Sequence, residues 1–225
     1  MSNLIETIKD AEKKGVAIGH INFAEITVLK AALKAAQEFN APIILGTSEK
    51  EADFIGRKEA VALIKIYKDK GLPVFLNADH TKSLEKIKES VEAGYDSVLF
   101  DGSDLSIEEN IKKTKEVVEW VKSVKPSVVV EGEIGYIGSS SKVLDKIPEG
   151  IELTKVEDAI KFVRETGVDM LAPAVGNIHG IVKTGEPRLN VEHIKLIKEA
   201  VKIPLVLHGA SGNSDADIKS AIKAG

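Results

Sequence analysis

Short β-branched runs alternate with longer amphipathic stretches along the whole chain, and this alternation restricts the fold more than any other feature. Strands are expected near 16–22, 43–46, 74–77, 97–100, 127–132, 169–174 and 204–207. Helices are expected near 4–14, 26–39, 58–70, 83–93, 107–124, 155–166, 191–200 and 215–224. The strand runs are apolar almost throughout, as strands of a parallel sheet covered on both faces must be. Gly15, Gly71, Gly94 and Gly167 stand where helices should stop, because a left-handed backbone closes the last turn there. The pattern is α/β, that of a (β/α)8 TIM barrel. Residues 1–225 read as a single domain, with no linker or low-complexity tract. Seven βα units are visible, so the barrel is read as truncated before its eighth strand; a doubly wound open sheet is the alternative. The strand ends favour the barrel. Nearly all of them finish in polar residues, whereas a doubly wound sheet gathers its functional groups at one switch point.

Composition narrows the partners. The chain has no cysteine, which excludes a disulfide framework and a thiolate metal site and fits a reducing compartment. A net charge of −4, with lysines spread over helix faces, argues against a nucleic-acid partner. The opening Met1-Ser2-Asn3-Leu4-Ile5-Glu6 lacks the basic-then-apolar order of a signal peptide. No apolar run approaches the ~20 residues that span a bilayer. A soluble, cytoplasmic protein with neither nucleic acid nor membrane as partner is the expectation.

Three of the five histidines close separate strand-like runs. They are His80 in Phe75-Leu76-Asn77-Ala78-Asp79-His80, His179 in Ala174-Val175-Gly176-Asn177-Ile178-His179-Gly180, and His208 in Leu205-Val206-Leu207-His208-Gly209. Parallel strands of an α/β protein deliver their last residues to one face, so imidazoles distant in sequence can meet around one ion. Three protein ligands with an open position is the catalytic zinc pattern. Asp79 and His80 are adjacent and point to different sides, which lets one ligate while the other faces a substrate. A hydrogen-bonded loop is the plain alternative for that pair taken alone. His20 reads as a packed side chain and His193 as a solvated residue on a helix.

Asp101-Gly102-Ser103 ends the fourth strand and Glu131-Gly132-Glu133 the fifth. Their carboxylates suit either a second metal position or the orientation of the histidines from behind, with a helix cap or salt bridge as the structural alternative. Which glutamate points inward stays open at this level. Gly176-Asn177-Ile178-His179-Gly180 and His208-Gly209-Ala210-Ser211-Gly212 place glycine beside the candidate ligands. Successive free N–H groups with a serine hydroxyl suit a phosphate.

These motifs together resemble the class II, metal-dependent ketose-bisphosphate aldolases, the fructose- and tagatose-bisphosphate aldolase family, from Val16 to the last residue. The resemblance implies zinc, or another divalent transition metal, held by His80, His179 and His208. It implies a proton-shuttling role for Asp79, and an alternative or second metal position at Asp101 and Glu133. Gly180, Gly209 and Ser211 would bind the ketose phosphate, with a monovalent cation near these loops, and Asn22 and Ser48 would line the substrate pocket. The implied reaction is aldol cleavage or formation of a ketose 1,6-bisphosphate, giving dihydroxyacetone phosphate and glyceraldehyde 3-phosphate, as in glycolysis. The implied assembly is a homodimer or tetramer when full length.

Three departures stand out. The residues before Asp79 are Leu76-Asn77-Ala78, where the family usually reads Leu directly before Asp-His. The stretch after the fifth strand, Ile137-Gly138-Ser139-Ser140-Ser141 onward, lacks the family's Gly-Gly-x-Glu-Asp acid, leaving Asp145 or Glu149 as substitutes and the general base open. The eighth-strand Asn-x-(Asn/Asp)-Thr motif is not within residues 1–225. Two other readings remain: a non-catalytic sugar-phosphate-binding barrel, and a Schiff-base aldolase, which needs a lysine at a strand end. None of the seven visible strands ends in one. Fructose and tagatose bisphosphate differ only in configuration at C4, and the sequence does not separate them.

Overall fold

The computed structural model describes residues 3–138, 143–145, 152–183 and 189–225. The chain forms two compact units, one comprising Met1–Asp101 with Glu116–Glu131, the other Gly102–Lys115 with Gly132–Gly225.

The first unit opens with α1 (Leu4–Lys14), β1 (Gly19–Asn22), α2 (Ile26–Glu38) and β2 (Ile43–Ser48). Helices α3 (Glu49–Ile55) and α4 (Arg57–Lys68), strand β3 (Val74–Thr81), helix α5 (Leu84–Ala93) and strand β4 (Ser97–Asp101) follow. Asn3 starts α1 by accepting from the Glu6 backbone N–H at 3.0 Å while Glu6 reaches back to the Asn3 N–H at 3.2 Å, a reciprocal cap. Strands β1 to β4 lie parallel in sequence order. The register sets Asn22 beside Gly46, Gly46 beside Asn77 and Asn77 beside Ser97, so these four side-chain positions share one face. On that face Ser97 Oγ donates to Asn77 Oδ1 at 2.8 Å. The opposite face packs Leu45, Leu76, Ala78 and Val98 into the core. There, too, the Thr47 and Tyr95 hydroxyls share a hydrogen bond of 2.7 Å, and burial pushes the Tyr95 phenol above its ordinary pKa.

Helix α6 (Ile107–Val124) and strand β5 (Val129–Ile134) each pass from one unit into the other. The second unit adds β6 (Val143–Leu144), α7 (Val156–Thr166), β7 (Met170–Pro173) and β8 (Ile181–Val182). Helix α8 (Val191–Val201), a short 3-10 turn at Ala210–Gly212 and α9 (Asp215–Ala224) complete it. The end of β5 neighbours β7, with the Ala174 N–H donating to the Ile134 carbonyl at 3.1 Å. Asn110 Nδ2 donates to the Glu133 carbonyl at 2.8 Å, which fixes the backbone where that carboxylate leaves the strand.

The parallel α/β class and the barrel order agree with the sequence expectation. Some elements differ. The 204–207 run forms only an isolated parallel bridge, Leu171 to Leu205, flanked by bonds from the Leu171 N–H to the Pro204 carbonyl and from the Val206 N–H to the Leu171 carbonyl. Helix α3 was not expected: Ser48, read as a pocket residue, stands at its start, where its N–H and Oγ both donate to Glu51 Oε2 at 2.8 Å. His193 is not simply solvated, because its Nε2 lies 2.7 Å from the Thr154 carbonyl.

Candidate active site

In the first unit, β3 carries Asp79 and His80. The register of β3 against β4 slips there: Ala78 pairs with Val98 but Thr81 with Phe100, so three steps on one strand match two on the other. The extra residue is a β-bulge, and His80 takes a φ of 45° within it. A non-glycine residue in the left-handed region is strained, and bulges beside functional sites re-aim side chains in this way. The bulge therefore gives His80 a direction that regular alternation would not. His80 Nδ1 lies 3.2 Å from Asp101 Oδ2, on the neighbouring strand, and the Asp101 side chain is only 8% exposed. In a neutral imidazole, a carboxylate at this distance favours the tautomer protonated on Nδ1, the one that presents the Nε2 lone pair to a ligand. Lys82 Nζ stands 3.9 Å from the same Asp101 oxygen. Asp79 is buried, and Asn22 Nδ2 on β1 donates to its Oδ2 at 2.7 Å.

In the second unit, His179 and His208 come together, with ring centroids 6.0 Å apart and planes inclined at 51°. Asn177 holds this pair in place from a fully buried position. Its Oδ1 accepts from the Val175 N–H at 2.8 Å, and its Nδ2 donates to the His208 carbonyl at 2.8 Å. The His179 N–H donates to the Ile137 carbonyl at 2.8 Å. Gly209 completes the fit. Its φ is 62°, and a Cβ there would run into the Ile178 carbonyl group and lie 3.0 Å from the His179 nitrogen. Only glycine lets the His208 segment lie against the His179 loop. Gly209 and Ala210 offer their carbonyls to Asn213 Nδ2 at 3.3 Å each, which shapes the turn that carries Ser211.

The imidazole pair permits a test of whether a metal fits. Two imidazoles on one tetrahedral ion, with metal–nitrogen bonds near 2 Å, place their ring centroids about 5 Å apart. The observed 6.0 Å is close to that arrangement, and the donors are nitrogens that suit zinc and its divalent neighbours. Among the other expected site residues, Glu133 is buried in β5, and Gly180, at φ 101°, follows His179 directly. Asp145 is 87% exposed and lies 2.8 Å from Lys183 Nζ, while Glu149 falls outside the described residues. Sequence reasoning missed two residues of the site: Asn177, and the Gly46 position discussed below. The Asn177 signal was present, a single amide two residues before the histidine, but its partners are remote in sequence.

Comparisons with known proteins agree with this geometry. The family model described as Fructose-bisphosphate aldolase class-II matches residues 2–225. The 6-phospho-5-dehydro-2-deoxy-D-gluconate aldolase of Shouchella clausii is 40% identical over 222 residues, covering 97% of this chain and 74% of the relative. The fructose-bisphosphate aldolase of Staphylococcus aureus is 38% identical over 224 residues, covering 98% of this chain and 77% of the relative. Among solved structures, the YdjI aldolase of Escherichia coli K12 superposes with a TM-score of 0.86 at 35% identity, covering 100% of this chain and 78% of the other. The fructose-bisphosphate aldolase of Campylobacter jejuni gives a TM-score of 0.82 at 26% identity, covering 99% of this chain and 73% of the other. Among the described residues no helix is long and apolar enough to cross a membrane. The parallel strands, the imidazole pair in its glycine-bearing loops and the match over residues 2–225 lead to one conclusion: the chain belongs to the class II fructose-bisphosphate aldolase family.

Proposed function

We propose that the protein is a divalent-metal-dependent aldolase that splits a phosphorylated ketose, fructose or tagatose 1,6-bisphosphate, into dihydroxyacetone phosphate and glyceraldehyde 3-phosphate. The observation that carries this reading is the His179–His208 pair, brought to ligating separation by buried Asn177. The family resemblance makes His80, His179 and His208 the principal ligand set, with Asp101 and Glu133 an alternative or second metal position. A bound divalent ion supplies Lewis-acid stabilisation of the negative charge that carbon–carbon cleavage leaves on the ketone half.

The chain's own residues do the rest. Asp101 holds the His80 ring in orientation. Asp79 takes the proton from the substrate's C4 hydroxyl during cleavage and returns it during condensation. Asn22 keeps the Asp79 carboxylate turned to that task. The backbone N–H groups of Gly180 and Gly209, with Ser211, hold the ketone-side phosphate, so that binding energy goes into orientation. A monovalent cation near these loops and a cytoplasmic homodimer or tetramer complete the proposal.

A second substrate is favoured by the Shouchella clausii relative, at 40% identity. In 6-phospho-5-dehydro-2-deoxy-D-gluconate the ketone again neighbours the phosphate-bearing carbon. Cleavage gives the same dihydroxyacetone phosphate half, with a carboxylate-bearing aldehyde as the other product. The two readings share every residue named above and differ only in what meets the aldehyde half.

Release of dihydroxyacetone phosphate from each of the three substrates, with and without a chelator, tests the proposal. Cleavage of at least one, lost on chelation and restored by zinc, is expected. Cleavage that survives chelation and is trapped by borohydride would establish the lysine mechanism instead. Binding of the sugar phosphates without turnover would establish a binding protein.

A further inference from the structure

Position 46 sits in the middle of β2, between β1 and β3, and holds a glycine. Glycine is a poor strand residue, since it orders at high entropic cost and packs nothing against its neighbours. Its backbone is not the reason for it. Gly46 is not among the positive-φ glycines, so alanine would accept the same conformation. Space is the reason. A Cβ at position 46 would collide with Asn22 Oδ1 and His20 Nε2, and would lie 2.9 Å from His20 Cε1. His20 and Asn22 lie two residues apart on β1 and share the face to which position 46 points. Asn22 crosses over this gap to reach Asp79, which lies beyond Gly46 on β3, and donates to it at 2.7 Å.

We propose that Gly46 is a positioning residue: the notch left by its absent side chain, walled by His20, is what allows the Asn22 carboxamide to reach Asp79. Gly46 touches no reacting atom. It acts through Asn22, and His20 acts as the wall that confines the carboxamide to the one path leading to Asp79. The inference rests on Asp79 as the proton-transferring carboxylate.

The test is a double-mutant cycle in the purified enzyme, with kcat, KM and metal content measured for Gly46→Ala, Asn22→Ala and the double variant, beside Asp79→Ala. Loss of a hydrogen bond to a charged group lowers kcat about 10- to 100-fold, and Gly46→Ala should match Asn22→Ala within that range. KM and metal content should stay within about twofold of the parent, because the chain still folds and still binds. In the Asn22→Ala background the added methyl has only the His20 ring tip left to move and no bond to Asp79 left to break, so Gly46→Ala should cost less than about twofold in kcat there. Should Gly46→Ala not fold, the same cycle is run with His20→Ala, which gives the methyl room on one side. Multiplicative losses, a rise in KM in place of a fall in kcat, or an unchanged kcat beside an inactive Asp79→Ala would overturn the notch and leave the function proposal standing. An active Asp79→Ala would remove the premise and the notch with it.

Discussion

His179 and His208 stand with ring centroids 6.0 Å apart, each on its own segment, and buried Asn177 ties the two segments together. The tie runs through the His208 carbonyl and not through its ring. Substitution of the ring can therefore remove a ligand and leave the loops joined.

His208→Ala should retain the fold and lose the ion. Metal content measured by elemental analysis should fall from about one per chain to near zero, with cleavage lost in parallel. The melting temperature of the chelated protein should hardly change between the two, since the Asn177 bond remains. A variant that keeps its metal would remove His208 from the ligand set.

Asp101→Asn should weaken the metal site without abolishing it. The carboxylate 3.2 Å from His80 Nδ1 orients the ring as a ligand. Metal affinity should fall about 10- to 100-fold, and excess zinc should restore turnover. Turnover that excess metal cannot restore would point to direct ligation or proton transfer by Asp101.

Gly209→Ala should be among the most damaging single-methyl additions in the chain. The residue sits at φ 62°, and the methyl meets the backbone of Ile178 and His179, which cannot give way as a side-chain tip can. A loss of roughly 2 kcal/mol or more in stability is expected from strain and contact together. Retention of metal affinity and phosphate binding in this variant would show that the loops are not coupled.

Tyr95→Phe tests the far side of the sheet. It removes the 2.7 Å bond to Thr47 and leaves a buried hydroxyl unanswered, at a cost of about 1–2 kcal/mol at neutral pH. Burial raises the Tyr95 pKa in the folded state, so its contribution is complete below the unfolded value of about 10 and is lost progressively as the pH rises from there through the higher folded-state value. The parent should therefore lose stability more steeply than Tyr95→Phe above that pH in urea titrations. Parallel pH profiles would contradict the buried, protonated phenol.

Regular elements were legible where local pattern governs. Helices α6 and α9 fall on the expected 107–124 and 215–224, and β3 begins at the expected Val74. Helix α3 escaped because it spans 7 residues and depends on the Ser48–Glu51 cap, a signal too short to separate from a loop. The bulge at Asp79-His80 escaped because histidine's modest enrichment at positive φ is too weak to mark one residue of an otherwise regular strand run. It arises from the mismatch with β4, two strands' worth of information that neither strand holds alone.

The order of apolar and polar residues along the chain determined which segments are strands and helices, and it determined which donor groups arrive at strand ends. Periodicity and strand-end chemistry are properties of neighbours in the chain. Tertiary structure decided which atoms meet: Asn22 with Asp79 across 57 residues, and Asn177 with the His208 carbonyl across 31. Such meetings depend on register, on a bulge and on the space a glycine leaves, and these are set by packing between segments that no local pattern records.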